Sequence, residues 1–203
     1  MRTLAWSADS TRIASGGDDK TVQVWDAKDG TYHFSYVGHV NQIWSVAWSP
    51  DNTRIVSASV DRTAQVWSAI QSQPNVTTQH ALAIYKNHTN EVKSVAWSPD
   101  STRVVSASND RTVQVWDPTS GHHFLTYTGH TDVLNAVAWT PYDRRIVSGS
   151  GDHSVRIWDA FSEKQLFVFS GHQLAVHSVA WSPNKQRIAS ASDDWSVQVW
   201  QAV

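Results

Sequence analysis

The chain has 203 residues, 40% of them hydrophobic, and a formal net charge of -2; it can bury a core and is too evenly charged for nucleic acid to be its main partner. Cysteine is absent, which excludes a disulfide framework, a thiol nucleophile and a Cys-based metal site. No apolar run approaches the ~20 residues that span a bilayer, and the opening MRTLAWSADSTR has no apolar core of a secretory signal, so the expectation is no membrane partner and a cytoplasmic location.

Twelve tryptophans stand against one methionine, and an internal repeat accounts for the bias. Ala-Trp pairs place Trp6, Trp48, Trp97, Trp139 and Trp181; a second series falls at Trp25, Trp67, Trp116, Trp158 and Trp200. Both series step by 42, 49, 42 and 42 residues, and His39, His88, His130 and His172 keep the same register. Only Trp44 and Trp195 lie outside it.

In chain order, the first unit enters directly at a strand. Met1 aligns with Ile43, so no Gly-His segment precedes it. The second unit carries seven extra residues. Aligning HALAIYKNH (80–88) with HHFLTYTGH (122–130) places them around Ser68 to Thr78; the polar, Pro-bearing SQPNVTT there predicts a flexible loop between third and fourth strands.

The third unit is the clearest. Val92 to Trp97 is β-prone and stops at the turn cluster Ser98-Pro99-Asp100. Val104 to Ser108 follows and ends at Asn109-Asp110-Arg111. Thr112 to Trp116 comes next, and His122 to Tyr127 is a fourth strand. The fourth unit repeats this pattern. The fifth ends three residues after Trp200 and lacks a fourth strand. Four antiparallel strands per ~42 residues is the spacing of a propeller blade. Helical periodicity is not sustained anywhere.

Gly-His openings, Trp-Asp endings and the repeat length resemble WD-repeat (WD40) β-propellers over essentially the whole chain. Departures are Ser68 after Trp67, Gln201 after Trp200, and Asn87 in place of Gly before His88. The resemblance implies an all-β fold of four complete four-stranded blades plus a three-stranded fifth. The expected blades are 1–37, 38–86, 87–128, 129–170 and 171–203, in a single propeller region. It also puts the 68–78 loop on the bottom face.

Four of the five units carry a His, Ser, Asp, Trp set: His39, Ser57, Asp61 and Trp67; His88, Ser106, Asp110 and Trp116; His130, Ser148, Asp152 and Trp158; His172, Ser190, Asp194 and Trp200. The first unit retains only Ser15, Asp19 and Trp25. A nucleophilic triad occurs once and in a cleft, so a set present in every unit reads as structure. The resemblance implies a buried hydrogen-bond chain from indole through Ser and His to Asp, which would satisfy donors and acceptors that burial strands. Burial between blades is likewise expected for Trp48, Trp97, Trp139 and Trp181 rather than an aromatic binding ladder. No catalytic residue, cofactor or metal is expected: His122-His123 is an adjacent pair beside a strand, and Gly16-Gly17 is no phosphate loop.

Function is then expected where the repeats differ. The resemblance implies top-face contact positions at Arg2 and Asp18; Gln42, Trp44 and Val60; Glu91, Lys93 and Asn109; Val133, Asn135 and Gly151; Ala175, His177 and Asp193. Trp195 joins them, so both non-repeat tryptophans fall on this surface. The expected function is a non-enzymatic scaffold that binds a protein or peptide. An alternative starts from strand 196–200, an apolar edge that invites pairing in trans: copies of the chain oligomerise through their open blade edges to complete a larger ring. A five-bladed ring and a fragment of a longer array are the other outcomes, and an enzyme or lectin using a central pocket is a further reading.

Overall fold

The computed structural model describes residues 1–70, 76–78, 80–141 and 144–202, and all regular structure among them is β-strand. The first strand of each repeat stops where a polar turn begins. In the opening repeat β1 (Thr3–Trp6) runs into Ser7, whose hydroxyl donates to Asp9 at 2.6 Å. The Asp9 carboxylate accepts from the Thr11 amide (3.0 Å) and hydroxyl (2.7 Å). Between them Ser10 takes a left-handed φ of 60°. Asp51 with Ser49 and Thr53, and Asp100 with Ser98 and Thr102, build the same turn. Side chains that bond their own backbone favour a turn over continued strand.

From that turn the chain returns as β2 (Arg12–Gly16), crosses as β3 (Thr21–Asp26) and ends on β4 (Tyr32–Val37). The second repeat is β5 (Ile43–Trp48), β6 (Arg54–Ser59) and β7 (Ala64–Ser68), followed by β8 (Val76–Thr78) and β9 (Ala83–Tyr85). The third is β10 (Val92–Trp97), β11 (Val104–Ser108), β12 (Val113–Trp116) and β13 (His123–Tyr127). The fourth is β14 (Leu134–Trp139), β15 (Arg145–Ser150), β16 (Val155–Asp159) and β17 (Gln165–Phe169). The fifth has β18 (Val176–Trp181), β19 (Arg187–Ser192) and β20 (Val197–Gln201), with β20 at the edge of a three-stranded sheet. Within each repeat, β8 aside, successive strands pair antiparallel.

The insertion departs from the expected loop. Its last residues form β8, which leaves its own repeat and pairs in parallel with β4, Phe34 opposite Val76 and Tyr36 opposite Thr78. The Ser35 and Thr77 hydroxyls lie 3.2 Å apart. The first sheet therefore has five strands. Two threonines and a valine suit a strand, and the outer edge of β4 offers unpaired backbone groups. Residues 71–75 of the expected loop lie outside the described residues.

The core consists of layers between neighbouring sheets, not of one centre. Strands β1, β5, β10, β14 and β18 stand side by side in that order. Each sheet presents one face to its predecessor and one to its successor. Val22, Val24 and Tyr36 of the first sheet meet Ile43, Val46 and Trp48 of the second, and the same layer recurs at the next three boundaries. Trp48, Trp97 and Trp139 are buried as expected. Trp181 is only half-buried, because the fifth sheet has a neighbour on one side. An Arg from the preceding repeat covers several of these rings: Arg12 lies 4.7 Å from the Trp48 ring, Arg54 4.9 Å from Trp97 and Arg145 5.3 Å from Trp181.

Candidate functional site

The recurring polar set forms a chain in four repeats. In the second, Trp67 Nε1–H donates to Ser57 Oγ at 2.8 Å, Ser57 Oγ lies 2.8 Å from His39 Nε2, and His39 Nδ1 lies 2.8 Å from Asp61 Oδ2. Trp158, Ser148, His130 and Asp152 keep 2.8 Å at every step. Trp200, Ser190, His172 and Asp194 run 2.7, 2.7 and 2.8 Å. Trp116, Ser106, His88 and Asp110 run 3.2, 2.8 and 2.7 Å. Each imidazole thus bridges a serine hydroxyl on Nε2 and an aspartate carboxylate on Nδ1, and the carboxylate accepts from it. The first repeat keeps Trp25 on Ser15 at 2.8 Å, while among the described residues Asp19 accepts from Thr21 and Gln23.

The long Trp116–Ser106 bond has a steric counterpart. Gly38 sits against Trp67, where a Cβ would fall 2.4 Å from the ring, and Gly171 sits against Trp200 in the same way. The third repeat has Asn87 at that place, and its indole stands farther from its serine than any other.

Each relay carboxylate also holds the loop that enters its blade. Asp61 accepts the Val40 amide at 3.1 Å, Asp110 that of Thr89, Asp152 that of Thr131 and Asp194 that of Gln173. Burial alone pushes the Asp61 and Asp110 carboxyls up. The hydrogen bonds and charge from His39 or His88, together with Thr63 or Thr112, outweigh it and hold both at about 2. Asp152 is lowered against burial by His130 and Ser154, and Asp194 by Ser196 first. Burial pushes His130 down, against the pull of Asp152. The hydroxyls of Ser57, Ser106 and Ser148 are buried and already receive an indole N–H. They have no open path to a substrate, which a nucleophile requires.

Above the relays lies a second recurring feature. The pairing of first and second strands slips by one residue between Ile43 and Ser45, Val92 and Ser94, Leu134 and Ala136, and Val176 and Ser178. The extra residues are Trp44, Lys93, Asn135 and His177, four of the expected contact positions, and Arg2 holds the aligned place before β1. A bulge re-aims a side chain that regular pairing would point elsewhere. Here the re-aimed side chains meet across blade boundaries. Arg2 lies 4.4 Å and Lys93 3.6 Å from the Trp44 ring centre.

Arg2 is ion-paired with Asp18, and Lys93 with Glu91 at 3.0 Å. Asn109 donates to Glu91 at 3.3 Å. Asp18, Arg2, Trp44, Lys93, Glu91 and Asn109 thus form one run over three blades. His177 pairs with Asp193 at 2.8 Å, and Asn135 donates to the Val176 carbonyl at 3.0 Å. Gln42 and Val60 are tied by backbone, as are Val133 with Gly151 and Ala175 with Asp193.

Trp195 stands apart, exposed and at a left-handed φ of 66°. Lys20, Arg62, Arg111 and His153 occupy the same turn position with φ of 67–70°. Sequence reasoning missed this set, although its signal was the residue after the relay Asp in every unit. Among the described residues no group of His, Asp and Glu side chains is placed to hold a metal ion. His123 Nδ1 is instead 2.8 Å from the Tyr85 hydroxyl. No helix among them is long and apolar enough to cross a membrane.

Comparison with known proteins agrees with the repeat. A family model described as "WD domain, G-beta repeat" matches five times, at residues 1–26, 30–68, 79–117, 121–159 and 163–201. Over 29 residues, 14% of this chain, it is 55% identical to the vegetative incompatibility protein HET-E-1 of Podospora anserina, covering 2% of that protein. Over 36 residues, 18% of this chain, it is 44% identical to the WD repeat-containing protein slp1 of Schizosaccharomyces pombe, covering 7% of it. The matched segments are a small part of either relative's length.

Proposed function

The chain belongs to the WD-repeat family, and on that premise we propose that it is a non-catalytic scaffold that binds a protein or peptide on the face carrying the bulge residues. One observation carries the reading: Trp44 and Lys93 are turned out of regular pairing by bulges, and Lys93 and Arg2, at the aligned place in the first repeat, both lie against the Trp44 ring across three blades. The aromatic ring offers contact area at low entropic cost, and its cationic neighbours with Asp18 and Glu91 supply polar partners around it. Arg2, Asp18, Gln42, Trp44, Val60, Glu91, Lys93, Asn109, Asn135, His177, Asp193 and Trp195 are the contact residues in this reading. The relays beneath hold the blade-entry loops in place. No cofactor is required.

The test uses peptides selected from a display library against the whole chain. Trp44→Ala, combined with Trp195→Ala, should weaken their binding at least tenfold while the melting temperature stays near that of the parent. Selected peptides that bind the double variant as tightly as the parent would reject the face.

A further inference from the structure

We propose a second docking site, a cluster of phenyl rings and arginine at the boundary of the third and fourth blades, which takes an acidic segment of a partner protein. A carboxylate of that segment sits on Arg103, and an apolar side chain beside it lies on Phe124 and Phe161. The site is separate from the bulge-bearing face.

Strand register places the cluster. In the third sheet Val92, beside the bulge, pairs with Ser108. At the other end Trp97 pairs with Val104, Val104 with Trp116 and Trp116 with His123. Arg103 precedes Val104 and Phe124 follows His123, so both stand at the end away from Lys93. In the fourth sheet Arg145 pairs with Asp159 at that same end. Phe161 lies in the turn just beyond, its amide donating to Asp159 at 3.0 Å. The repeat demands neither ring: His33, Leu82 and Leu166 align with Phe124, and Lys28, Ile70 and Thr119 with Phe161.

Arg103 also departs from its own series. At the aligned place in the first two repeats, arginine stitches one blade to the next. Arg12 lies on Trp48 and donates to the Ala69 carbonyl at 2.6 Å; Arg54 lies on Trp97 and donates to the Ser101 carbonyl at 2.7 Å. The guanidinium carbon of Arg103 is instead 4.5 Å from the Phe124 ring centre and 4.4 Å from that of Phe161, one ring from each blade. Among the described residues this guanidinium donates no hydrogen bond and makes no ion pair, although Glu163, like Arg103, stands near enough to act on the Tyr127 hydroxyl.

The chemistry of the occupant follows. A phenyl ring attracts the cation but offers no acceptor for its N–H groups, so the fork that matches a carboxylate is held in place with its donors unspent. Arg144 adds positive charge beside it, 4.4 Å from the Phe161 ring centre. Phe124 and Phe161 are 36% and 41% exposed, and His122 stands edge-on to Phe124 at 5.5 Å. A positioned guanidinium between two open apolar rings fits a carboxylate next to an apolar side chain, as an acidic peptide presents them. The net charge of -2 does not favour a nucleic acid in its place.

The probes are short fluorescein-labelled peptides with glutamate flanked by leucine or phenylalanine, and the same peptides with glutamine for glutamate, titrated with the whole chain by anisotropy. Glutamate peptides should bind, and their glutamine counterparts about tenfold more weakly. Arg103→Gln should weaken the glutamate peptides about tenfold, and Arg103→Lys, which keeps the charge and loses the fork, about fivefold. Phe161→Ala should weaken them as well. Trp44→Ala should leave them unchanged, and melting temperatures near that of the parent show that each variant is folded. If Arg103→Gln melts early, Arg103→Lys is read in its place. Binding that ignores the glutamate or survives the folded Arg103 variants in full overturns the proposal. Loss of binding in Trp44→Ala overturns it too, by placing the peptides on the bulge-bearing face. So does a set in which no peptide binds at millimolar concentration, or a single-stranded oligonucleotide that binds more tightly and displaces the glutamate peptides.

Discussion

The Lys93 ammonium lies 3.6 Å from the centre of the Trp44 ring, so side chains raised by two successive bulges meet across the boundary between the second and third blades. An exposed contact of this kind contributes about 0.5–1 kcal/mol. Lys93→Met should therefore lower stability by about that amount in urea unfolding. Lys93→Met combined with Trp44→Leu should cost less than the sum of the two single changes. Strict additivity would show that the pair does not interact.

The relays should differ in weight between blades. In the third, Asp110 accepts from His88, Thr112 and the Thr89 amide. Asp110→Ala leaves the buried His88 and the part-buried Thr112 hydroxyl without their acceptor and should cost about 1–3 kcal/mol. Asp19 has no histidine and fewer partners, and Asp19→Ala should cost about 0.5 kcal/mol or less. Equal losses in the two variants would refute the ranking.

Acid should destabilise the fold in a defined window. The Asp61 and Asp110 carboxyls sit at about 2, against 3.8 ordinarily. A depressed folded value means that the unfolded chain takes up protons first as pH falls. The stability these groups supply is complete above pH about 4 and is lost on the way down to about 2, at about 2 kcal/mol for each. His130, which burial pushes below 6.5, acts in the same direction at higher pH. Melting temperature should fall on acidification, most steeply between pH about 4 and 2. A flat profile there would exclude the relays as the cause.

Gly38 and Gly171 leave room for the Trp67 and Trp200 rings. A Cβ at 2.4 Å cannot be accommodated without moving an indole off its serine. Gly38→Ala should cost about 1–3 kcal/mol. The converse change in the third blade, Asn87→Gly, should cost nothing in packing and bring the indole proton signal of Trp116 toward that of Trp67. An alanine at position 38 that melts like the parent would remove the steric account.

The blade is legible in the sequence because everything that defines it is local. Alternating β-branched residues, Ser-x-Asp turns and one Trp-bearing strand recur within about 42 residues, and the relay follows from four residue types at fixed spacing inside one unit. Contacts between units are not local. Trp44 reads as an unexplained tryptophan until Arg2 and Lys93 are brought beside it from the neighbouring blades.

Val76 to Thr78 look like loop because their partner, β4, belongs to the previous repeat. Trp6 and Trp48 are the same residue in the same pattern, yet one is exposed and the other buried, because burial here depends on whether a second sheet stands against the face. The sequence by itself determined the strands, the turns and the hydrogen-bond relay, where side-chain chemistry acts within one sheet. The tertiary structure alone decided which faces between neighbouring blades are covered and which bulged side chains meet, since each depends on the packing of one sheet against the next.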